Sequence, residues 1–377
     1  MKAIFLILSV ILSGFLMASC QDDSIRSPPD ENVDLANLFL TGTDNFPVAL
    51  VKEDLLFPRD HGPHPDYRTE WWYLTGNLTS GNREFGFQLT FFRLALDINP
   101  VVRRSKWASN QIYMAHFALT DVNNASFYSF ERFSRDALGL AGASSEPFHV
   151  WVENWVVEGL FPMSVKAATD KVGITLTIQS GKPMVKHGDN GYSRKSANSA
   201  SHYYSFPRLP VNGQVQLQGK AFEVEGIAWF DREWSNGSLS KEQVGWNWFA
   251  LQFNNNTELM LYELRRRDNL PDPFTYGVLV TANSRVRKFK SEEISIQPLR
   301  YWESPFTGVT YPVEWQINVP SLDMFLRVAA KLDDQEHRNV FEYWEGSTSV
   351  EGEIGRKVLF GQGYVELTGY SQTGNFQ

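Results

Sequence analysis

The stretch that most constrains the fold of this chain is residues 64–78, HPDYRTEWWYLTGNL, where one carboxylate directly precedes three large aromatic side chains. Successive side chains of a β-strand point to opposite faces. We therefore expect Trp71 and Tyr73 to share one face, with Glu70 and Trp72 on the other. Two large aromatic surfaces need two partners, so one face is expected to meet a core and the other a ligand.

A second copy of this design occurs further along the chain. A polar turn over residues 77–82 leads from the first strand into EFGFQLTFFR at 84–93, which predicts an antiparallel hairpin. GWNWFALQF at 245–253, an Asn-rich turn at 254–257 and ELMLYELR at 258–265 repeat it, and each returning strand ends in arginine. Self-similarity of this kind predicts two copies of one architecture.

The rest of the chain has the pattern of short strands separated by turns, and long helical periodicity is absent. This spacing predicts an all-β fold, an antiparallel sandwich or barrel. We place one domain at residues 61–240 and a second at 241–377, after a tether at 21–60 with one helical turn at 33–39. The polar, Gly/Ser-rich segment 182–201 is expected to be a loop over a barrel mouth.

Residues 1–20 have the form of an export signal, with a positive start, an apolar run over 3–16 and small residues before Cys20. Cys20 falls at the lipid-attachment position of a bacterial lipoprotein signal, with Met17 in place of the more usual leucine. Acyl chains on Cys20 would anchor the protein to a membrane in the cell envelope. Gln21 suits the periplasmic side of the outer membrane. The alternative is an ordinary secretory signal with an incidental cysteine.

The composition narrows the classes of partner. The chain has 35 basic and 43 acidic residues, a net charge of −8, so no nucleic-acid partner is expected. One cysteine alone gives no disulfide framework. The 12 tryptophans and 27 phenylalanines are enough to fill a wide barrel or to line an apolar pocket.

Three clusters combine aromatic and titratable side chains: Glu70 with its aromatic neighbours, residues 202–204 and residues 229–234. A carboxylic acid among aromatic rings loses solvation, so its pKa rises and it holds a proton near neutral pH. Such an acid can protonate an alkene or a leaving group, and electron-rich rings can stabilise the resulting cation. A neutral histidine nearby can deprotonate the attacking water. Asp231 and His202 therefore form the candidate acid–base set.

Structural explanations compete with these assignments. An ion-pair lattice that closes a barrel end would use the same charged side chains, namely Glu70, Asp231, Arg232 and Glu233. Arg68 or Arg93 would be a further member of that lattice. His202 is equally a candidate for a buried structural histidine, and for His116, on the apolar strand MAHFALTD, that explanation is favoured. The tryptophan pairs at the strand starts would then plug a barrel core.

Several kinds of site find no support in the chain. His61 and His64 match no zinc-ligand spacing, so no metal site is predicted. No G-x-S-x-G motif is present for a serine nucleophile. No glycine-rich loop that would hold a phosphate is present either, and no cofactor is expected.

Six motifs in order resemble those of one family: HPDYRTEWWYLTGNL, FGFQLTFFR, MAHFALTD, HYYSFPRLPVNGQV, GIAWFDREWSN and GWNWFALQF. The chain looks like the two-domain lipocalin-like proteins, which include bacterial AttH proteins, carotenoid 1,2-hydratases and many predicted secreted hydrolases. The motifs span residues 56–264, and the duplicated pattern extends the resemblance to the C-terminus. The resemblance implies two lipocalin-like antiparallel barrels or half-barrels, packed side by side, with an apolar cleft between or within them.

The resemblance also implies a chemistry. The hydratases add water across an isolated C=C bond by protonating it, without a cofactor, and their aspartate and histidine correspond to Asp231 and His202. Their aromatic pair corresponds to Tyr204 and Trp229 in reversed order, which favours an aromatic cation site over a carotenoid site. The residues expected to bind the ligand are Glu70, Trp71, Trp72, Tyr73, His116, Tyr204 and Trp229.

The leading hypothesis is an exported lipoprotein that binds an apolar ligand such as a lipid or isoprenoid, with hydratase- or hydrolase-like chemistry at Asp231. The rival is a non-catalytic carrier or an accessory subunit of an ABC-type export system, a partner that AttH-type relatives imply. A third class is a purely structural envelope protein, whose cleft would be too small for a ligand.

Overall fold

The structure is a computed structural model that describes residues 33–36, 46, 52–98, 104–237 and 239–371. These residues belong to one compact unit, Val33–Gln377. The predicted signal and its Cys20 lie outside the described residues. Within the described part of the chain, no helix is both long enough and apolar enough to cross a membrane.

Nearly all of the regular structure is β-strand. The strands up to residue 235 are, in chain order, β1 Val33–Asp34, β2 Thr69–Ser80, β3 Arg83–Ala95, β4 Gln111–Asp121, β5 Ser126–Arg135, β6 Ala141–Ser145, β7 Phe148–Val152, β8 Trp155–Glu158, β9 Met163–Ala168, β10 Val172–Ile178, β11 Val185–Lys186, β12 Tyr192–Arg194, β13 Ala200–Leu217 and β14 Lys220–Ser235.

The remaining strands are β15 Gln243–Phe253, β16 Glu258–Arg266, β17 Tyr276–Val280, β18 Val286–Lys290, β19 Ser295–Glu303, β20 Thr310–Val319, β21 Met324–Ala330, β22 Glu336–Arg338, β23 Phe341–Ile354 and β24 Lys357–Leu367. Short 3-10 helices lie at Arg59–His61, Val122–Asn124, Ser291–Glu293 and Pro320–Leu322.

The described strands form two sheets. The first has 13 strands in the order β5-β4-β3-β2-β14-β13-β10-β9-β8-β7-β6, with β11 and β12 added to β13. The second has 11 strands in the order β18-β17-β16-β15-β24-β23-β21-β20-β19, with β1 and β22 added to β23. Among the described strands every pairing is antiparallel except that of β1 with β23. The predicted all-β fold is confirmed.

The predicted duplication is visible in the strand order. The run β5-β4-β3-β2-β14-β13 of the first sheet corresponds, strand for strand, to β18-β17-β16-β15-β24-β23 of the second. The two tryptophan-headed hairpins, β2–β3 and β15–β16, therefore occupy equivalent central places. Strand β14 of the first sheet ends at Ser235 and β15 of the second begins at Gln243. That each sheet is a separate domain, divided near residue 240, stays a prediction.

Each sheet curls around its own apolar core, and one of them is nearly barrel-shaped. In the first sheet, Phe117 on β4 meets Trp155 on β8 with ring centroids 5.7 Å apart, although these strands are far apart in the strand order. In the second sheet, Phe249 on β15 meets Trp315 on β20 at 5.4 Å. Burial of these large rings stabilises the curvature, since each buries a large apolar area.

Two segments differ from what the sequence predicted. Val33 and Asp34 are extended and pair with Phe341 and Glu342, where one helical turn was expected. The polar segment 182–201 is not a free loop, because β11 and β12 within it pair with β13. That pairing brings the segment against the region where the two sheets meet.

Candidate functional site

A cavity lies where the two sheets meet, against the equivalent hairpins. Its aromatic lining comes from both sheets: Trp71, Tyr73, Phe92, Tyr203, Trp246, Trp248 and Tyr262. Its charged or titratable lining consists of Lys195, Asp231, Glu233 and Glu366. The cavity volume of about 110 Å³ has room for on the order of ten water molecules. It therefore suits the reacting end of an apolar ligand rather than a long chain.

The two walls correspond to each other residue by residue. In the first sheet, Tyr73 pairs across the strands with Asp231. In the second sheet, Trp248 holds the equivalent place and pairs with Glu366. Strand alternation brings Trp71 to the cavity beside Tyr73, as predicted. The cavity thus has a carboxyl group at the same position of each half.

Asp231 is only 3% exposed and is held by three donors. Trp229 Nε1 and Ser205 Oγ donate to Oδ1 at 2.6 and 2.5 Å, and Tyr203 Oη donates to Oδ2 at 2.7 Å. Burial raises the pKa of Asp231, the three hydrogen bonds oppose that rise, and the charge of Glu233 adds to it. The pKa stands at about 7, so Asp231 can hold and release a proton near neutral pH.

Glu366 has a different environment from Asp231. Burial, together with the charges of Asp231 and Glu233 and against a hydrogen bond with Trp246, raises its pKa to about 8. Its cross-strand neighbour Glu345 also has a pKa well above the ordinary value, because burial and the charge of Glu366 both favour its neutral form. The two walls therefore both carry carboxyl groups that hold protons at neutral pH.

Lys195 is the one ammonium among the described side chains that line the cavity. Its Nζ lies 3.1 Å from Glu233 Oε1 and 3.9 Å from the ring centre of Tyr262. Because burial is outweighed by the neighbouring Glu233 charge, the pKa of Lys195 lies above its ordinary value. The ion pair with Glu233 offsets this positive charge next to the aromatic rings.

Glu70 and Trp72 do not line the cavity. Glu70 is fully buried on the opposite face, where it bonds to Arg93 and, at 2.7 Å, to Arg232 Nη2. Burial opposes its ionisation, but the two arginines outweigh burial and hold the pKa of Glu70 well below its usual range. Arg232 lies over the ring of Trp72 at 3.9 Å. Glu70 thus takes part in ion pairs of the kind that the lattice alternative describes, and it is absent from the cavity lining where the ligand-binding prediction would place it.

The structure does not bring His202 to Asp231. Asp231 is paired with Ser205, so the odd-numbered positions of β13 share its face, whereas His202 and Tyr204 point the other way. His202 instead packs against Trp234 with ring centroids 5.3 Å apart.

The cause is a one-residue register shift in β13 between Phe206 and Leu209. Such a bulge moves every side chain beyond it to the other face of the sheet. Without the shift, His202 would share the face of Asp231. Pro207, in the middle of the strand, is the sequence signal that could have indicated it, because proline in a central strand marks a bulge.

The other predicted ligand-binding residues serve different contacts. Tyr204 Oη bonds His61 Nδ1 at 2.7 Å on the far face. His116 Nδ1 bonds Tyr343 Oη at 2.8 Å, which fits the structural explanation that the sequence favoured. Trp229 holds Asp231 in place through the hydrogen bond given above.

His187 is one residue that the sequence did not single out, and Ser205, Lys195 and Glu366 are others. His187 lies within the segment predicted to be a loop, and its Nε2 is 2.5 Å from Ser205 Oγ. Its ring stacks on Tyr203 with centroids 4.0 Å apart. Burial, with the nearby charges of Lys195 and Lys288, holds the pKa of His187 well below its ordinary value, so the ring is neutral. No motif or spacing in the sequence links this histidine to Asp231.

The turn after His187 fixes its place. Gly188 has a φ of +58°, and a Cβ there would lie 2.2 Å from the carbonyl oxygen of Tyr192. Only glycine suits such a position. A wider outer cleft of about 620 Å³ begins here and is lined by Gly188, Tyr276 and Tyr262. Tyr262 lines both spaces, so the outer cleft lies next to the cavity.

The described residues contain no group of three or more His, Cys, Asp or Glu side chains arranged to hold a metal ion. The cavity's own residues offer proton transfer by carboxyl groups beside aromatic ring faces.

Comparison with known proteins places the chain among proteins of this architecture. The model of the AttH-like family matches residues 48–370. The crystal structure of an AttH candidate from Nitrosomonas europaea superposes with a TM-score of 0.76 and 32% identity, covering 86% of this chain and 99% of that one.

Two further relatives have names that describe water chemistry. Kievitone hydratase from Nectria haematococca shares the fold, with a TM-score of 0.67, 16% identity and coverage of 86% of this chain and 96% of that one. The dehydratase asqC of Emericella nidulans is 22% identical over 215 residues, 54% of this chain. The matched region spans 60% of the length of that dehydratase.

Proposed function

The chain belongs to the AttH-like family, as its motifs predicted, and from that premise we propose that it is a hydratase-like enzyme acting on an apolar ligand. The reaction is the addition of water to a C=C bond, or its reverse, with Asp231 as the acid. The observation that carries this proposal is Asp231 itself, a buried carboxyl with a pKa of about 7 at the wall of an aromatic cavity.

The comparisons support the reaction class. A hydratase shares the fold, and a dehydratase is related in sequence over about half of the chain. Hydration and dehydration are one reaction run in opposite directions, so a single acid–base site serves both.

The reaction begins with proton transfer from Asp231 to the alkene. The O–H bond of Asp231 breaks, its proton forms a C–H bond with one alkene carbon, and the neighbouring carbon becomes a cation. The faces of Trp71, Tyr73 and Trp248 attract that cation. Water then bonds to the cationic carbon and gives up a proton to a carboxylate of the cavity, for which Glu233, ion-paired with Lys195, is the candidate.

A non-catalytic carrier is the second candidate, and one observation favours it. All three hydrogen bonds to Asp231 are donated to its oxygens, an arrangement that suits a fixed carboxylate. A carrier would use the same aromatic cavity to bind a lipid or isoprenoid. Service to an ABC-type export system rests on the family resemblance alone.

We also propose that the protein is anchored in the cell envelope through lipid on Cys20. The support is the signal-like sequence of residues 1–20. Mass spectrometry of the mature N-terminus tests this, because an acylated Cys20 supports the anchor and an unmodified N-terminus contradicts it.

Hydration is tested with geraniol, farnesol and squalene as isoprenoid alkene probes in ¹⁸O-labelled water. We expect a tertiary alcohol that carries one labelled oxygen, and loss of that product in Asp231→Asn, which keeps the shape of the side chain. Glu223→Gln is the matched control, because Glu223 is an exposed carboxylate on the same strand. Probes that bind without gaining water would support the carrier, and an Asp231→Asn enzyme that hydrates as fast as wild type would refute the assignment.

A further inference from the structure

Behind Asp231, two side chains that do not line the cavity form a chain of short hydrogen bonds. Ser205 Oγ donates to Asp231 Oδ1 at 2.5 Å, and His187 Nε2 lies 2.5 Å from the same Ser205 Oγ. Ser205 and His187 are both buried. In the described part of the protein, His187 Nδ1 has no hydrogen-bond partner. The chain of hydrogen bonds therefore ends at Nδ1, which is itself buried.

The direction of these hydrogen bonds depends on the charge of Asp231, because a hydroxyl has a single proton to donate. When Asp231 is ionised, Ser205 donates a hydrogen bond to it and accepts a hydrogen bond from the Nε2–H group of His187. When Asp231 is protonated towards Ser205, the serine proton must turn to Nε2, which then has to be bare. A neutral His187 would carry its proton at Nδ1 in that state. The two neutral tautomers of His187 thus match the two charge states of Asp231.

We propose that Ser205 and His187 are a proton relay that recharges Asp231 from solvent after it has protonated a ligand. The role of this relay in recharging Asp231 rests on the proposed function, whereas the hydrogen bonds that form it are present in the structure whatever the function is. One proton enters at Nδ1, the Nε2 proton passes to Ser205 Oγ, and the serine proton passes to Asp231 Oδ1. His187 stays neutral overall, and exchange with solvent returns it to the first tautomer.

The outer cleft lies beside the buried end of the relay. Gly188, which follows His187 in the chain, lines that cleft together with Tyr276. The rings of Tyr276 and His187 contact each other with centroids 6.2 Å apart, and the Gly188 N–H donates to Tyr276 Oη at 3.2 Å. The cavity and the outer cleft therefore lie on either side of the hydrogen-bonded chain. Because Nδ1 itself is buried, the relay needs a local opening at Gly188 to admit a proton from the outer cleft, and a ligand in the cavity would not block that opening.

The surroundings keep the two ends of the relay in different electrostatic environments. Asp231 interacts with titratable groups from several elements: Glu233 on its own strand, Tyr203 on β13, Tyr73 on β2, Glu366 on β24 and Lys195 before β13. His187 faces Lys195, Lys288, Tyr203 and Tyr276. The carboxyl groups favour a protonated Asp231, while the two lysines disfavour an imidazolium at His187. A proton is therefore more stable on Asp231 than on His187.

The test uses full-length protein with ¹⁵N-labelled histidine and no ligand. Two-bond ¹H–¹⁵N spectra distinguish a protonated ring nitrogen from a bare one, and His187→Gln identifies the signal among the seven histidines. As the pH falls through the pKa of Asp231, we expect Nε2 of His187 to change from protonated to bare and Nδ1 to change in the opposite sense. An independent histidine would instead gain a second proton.

Variants assign the coupling to the relay. Asp231→Asn should remove the pH-dependent exchange of tautomers, and Ser205→Ala should remove it while the fold is kept. Ser205→Thr keeps a hydroxyl and should retain it, as should Ser201→Ala on the same face of β13. A tautomer that stays fixed in wild type, or that still changes in Ser205→Ala, would overturn the relay.

The readout separates this inference from the proposed function, because no ligand is present. A tautomer change in a protein that hydrates none of the probes would overturn the hydratase alone. An active hydratase with a fixed His187 tautomer would overturn the relay alone.

Discussion

The two walls of the cavity are duplicated in position and different in chemistry. Asp231 and Glu366 occupy equivalent strand positions, opposite Tyr73 and Trp248 respectively. Asp231 lies among hydrogen-bond donors, whereas Glu366 lies across the strands from a second carboxyl, Glu345. The duplication thus gives two carboxyl sites, and their neighbours decide that Asp231 is connected to a histidine while Glu366 shares its surroundings with another acid.

The largest expected effect separates the two carboxyl groups in catalysis. Asp231→Asn removes the proton donor, and loss of a general acid typically costs about 10²- to 10⁴-fold in rate. Glu366→Gln should cost less, because Glu366 is mostly neutral at neutral pH and is not the proton donor to the ligand. The measurement is the rate of hydration of the probe that wild type turns over. Equal losses in the two variants would show that the walls are equivalent in function.

The next expected effect is on stability, and it separates a buried ion pair behind the first hairpin from a carboxyl group of the cavity. Glu70→Gln leaves Arg93 and Arg232 without their buried partner charge, so unfolding free energy should fall by about 3–5 kcal/mol. Glu366→Gln should change it little at neutral pH, since that side chain is already mostly neutral. Urea unfolding of both variants tests this, and a larger loss from Glu366→Gln would reverse the comparison.

The pH dependence of stability follows from the same two walls. The folded pKa values of Asp231 and Glu366, about 7 and about 8, lie above their ordinary values of 3.8 and 4.5. The folded protein therefore binds more protons than the unfolded chain between those values, so its stability falls as pH rises through them. Each group contributes a slope of at most about 1.4 kcal/mol per pH unit.

Asp231→Asn and Glu366→Gln should each flatten that slope, as measured by urea unfolding across the pH range. Glu70, whose folded pKa is lowered, contributes in the opposite sense, with stability lost only in acid. A stability that rises between mildly acidic and neutral pH, with the same slope in the variants, would contradict the raised pKa values.

The smallest effect concerns the aromatic residues at the equivalent positions. Tyr73 Oη donates to Glu345 Oε1 at 2.5 Å, and Trp248 Nε1 donates to Tyr203 Oη at 3.1 Å. Tyr73→Phe should lower unfolding free energy by about 1–3 kcal/mol, because a buried acceptor loses its donor. Trp248→Phe tests the equivalent contact on the other wall. Stability equal to wild type in Tyr73→Phe would show that Glu345 has no need of this donor.

The sequence predicted most of the fold for a physical reason. Strand alternation alone separates Trp71 and Tyr73 from Glu70 and Trp72, and the repeated hairpin design indicates the duplication. The family motifs point to Asp231, and the structure places it at the cavity wall. These features depend on local pattern, which a single sequence displays.

The histidine that lies near Asp231 could not be predicted from the sequence because its place depends on register. A one-residue bulge near Pro207 decides which residues of β13 face Asp231, and without it His202 would share that face. His187 reaches the site through pairing of β11 with β13, a contact between segments that no local pattern specifies. The sequence shows which side chains are present, but it does not show which face of the sheet each one occupies.

The central claim is that Asp231 holds a proton near neutral pH at the wall of the cavity. Carbon-13 NMR of protein labelled at the aspartate carboxyl groups, with Asp231→Asn to identify the signal, measures that pKa directly. We expect the carboxyl signal of Asp231 to titrate with a midpoint at about pH 7. A midpoint near 3.8, the ordinary value, would show a permanent carboxylate and contradict the account.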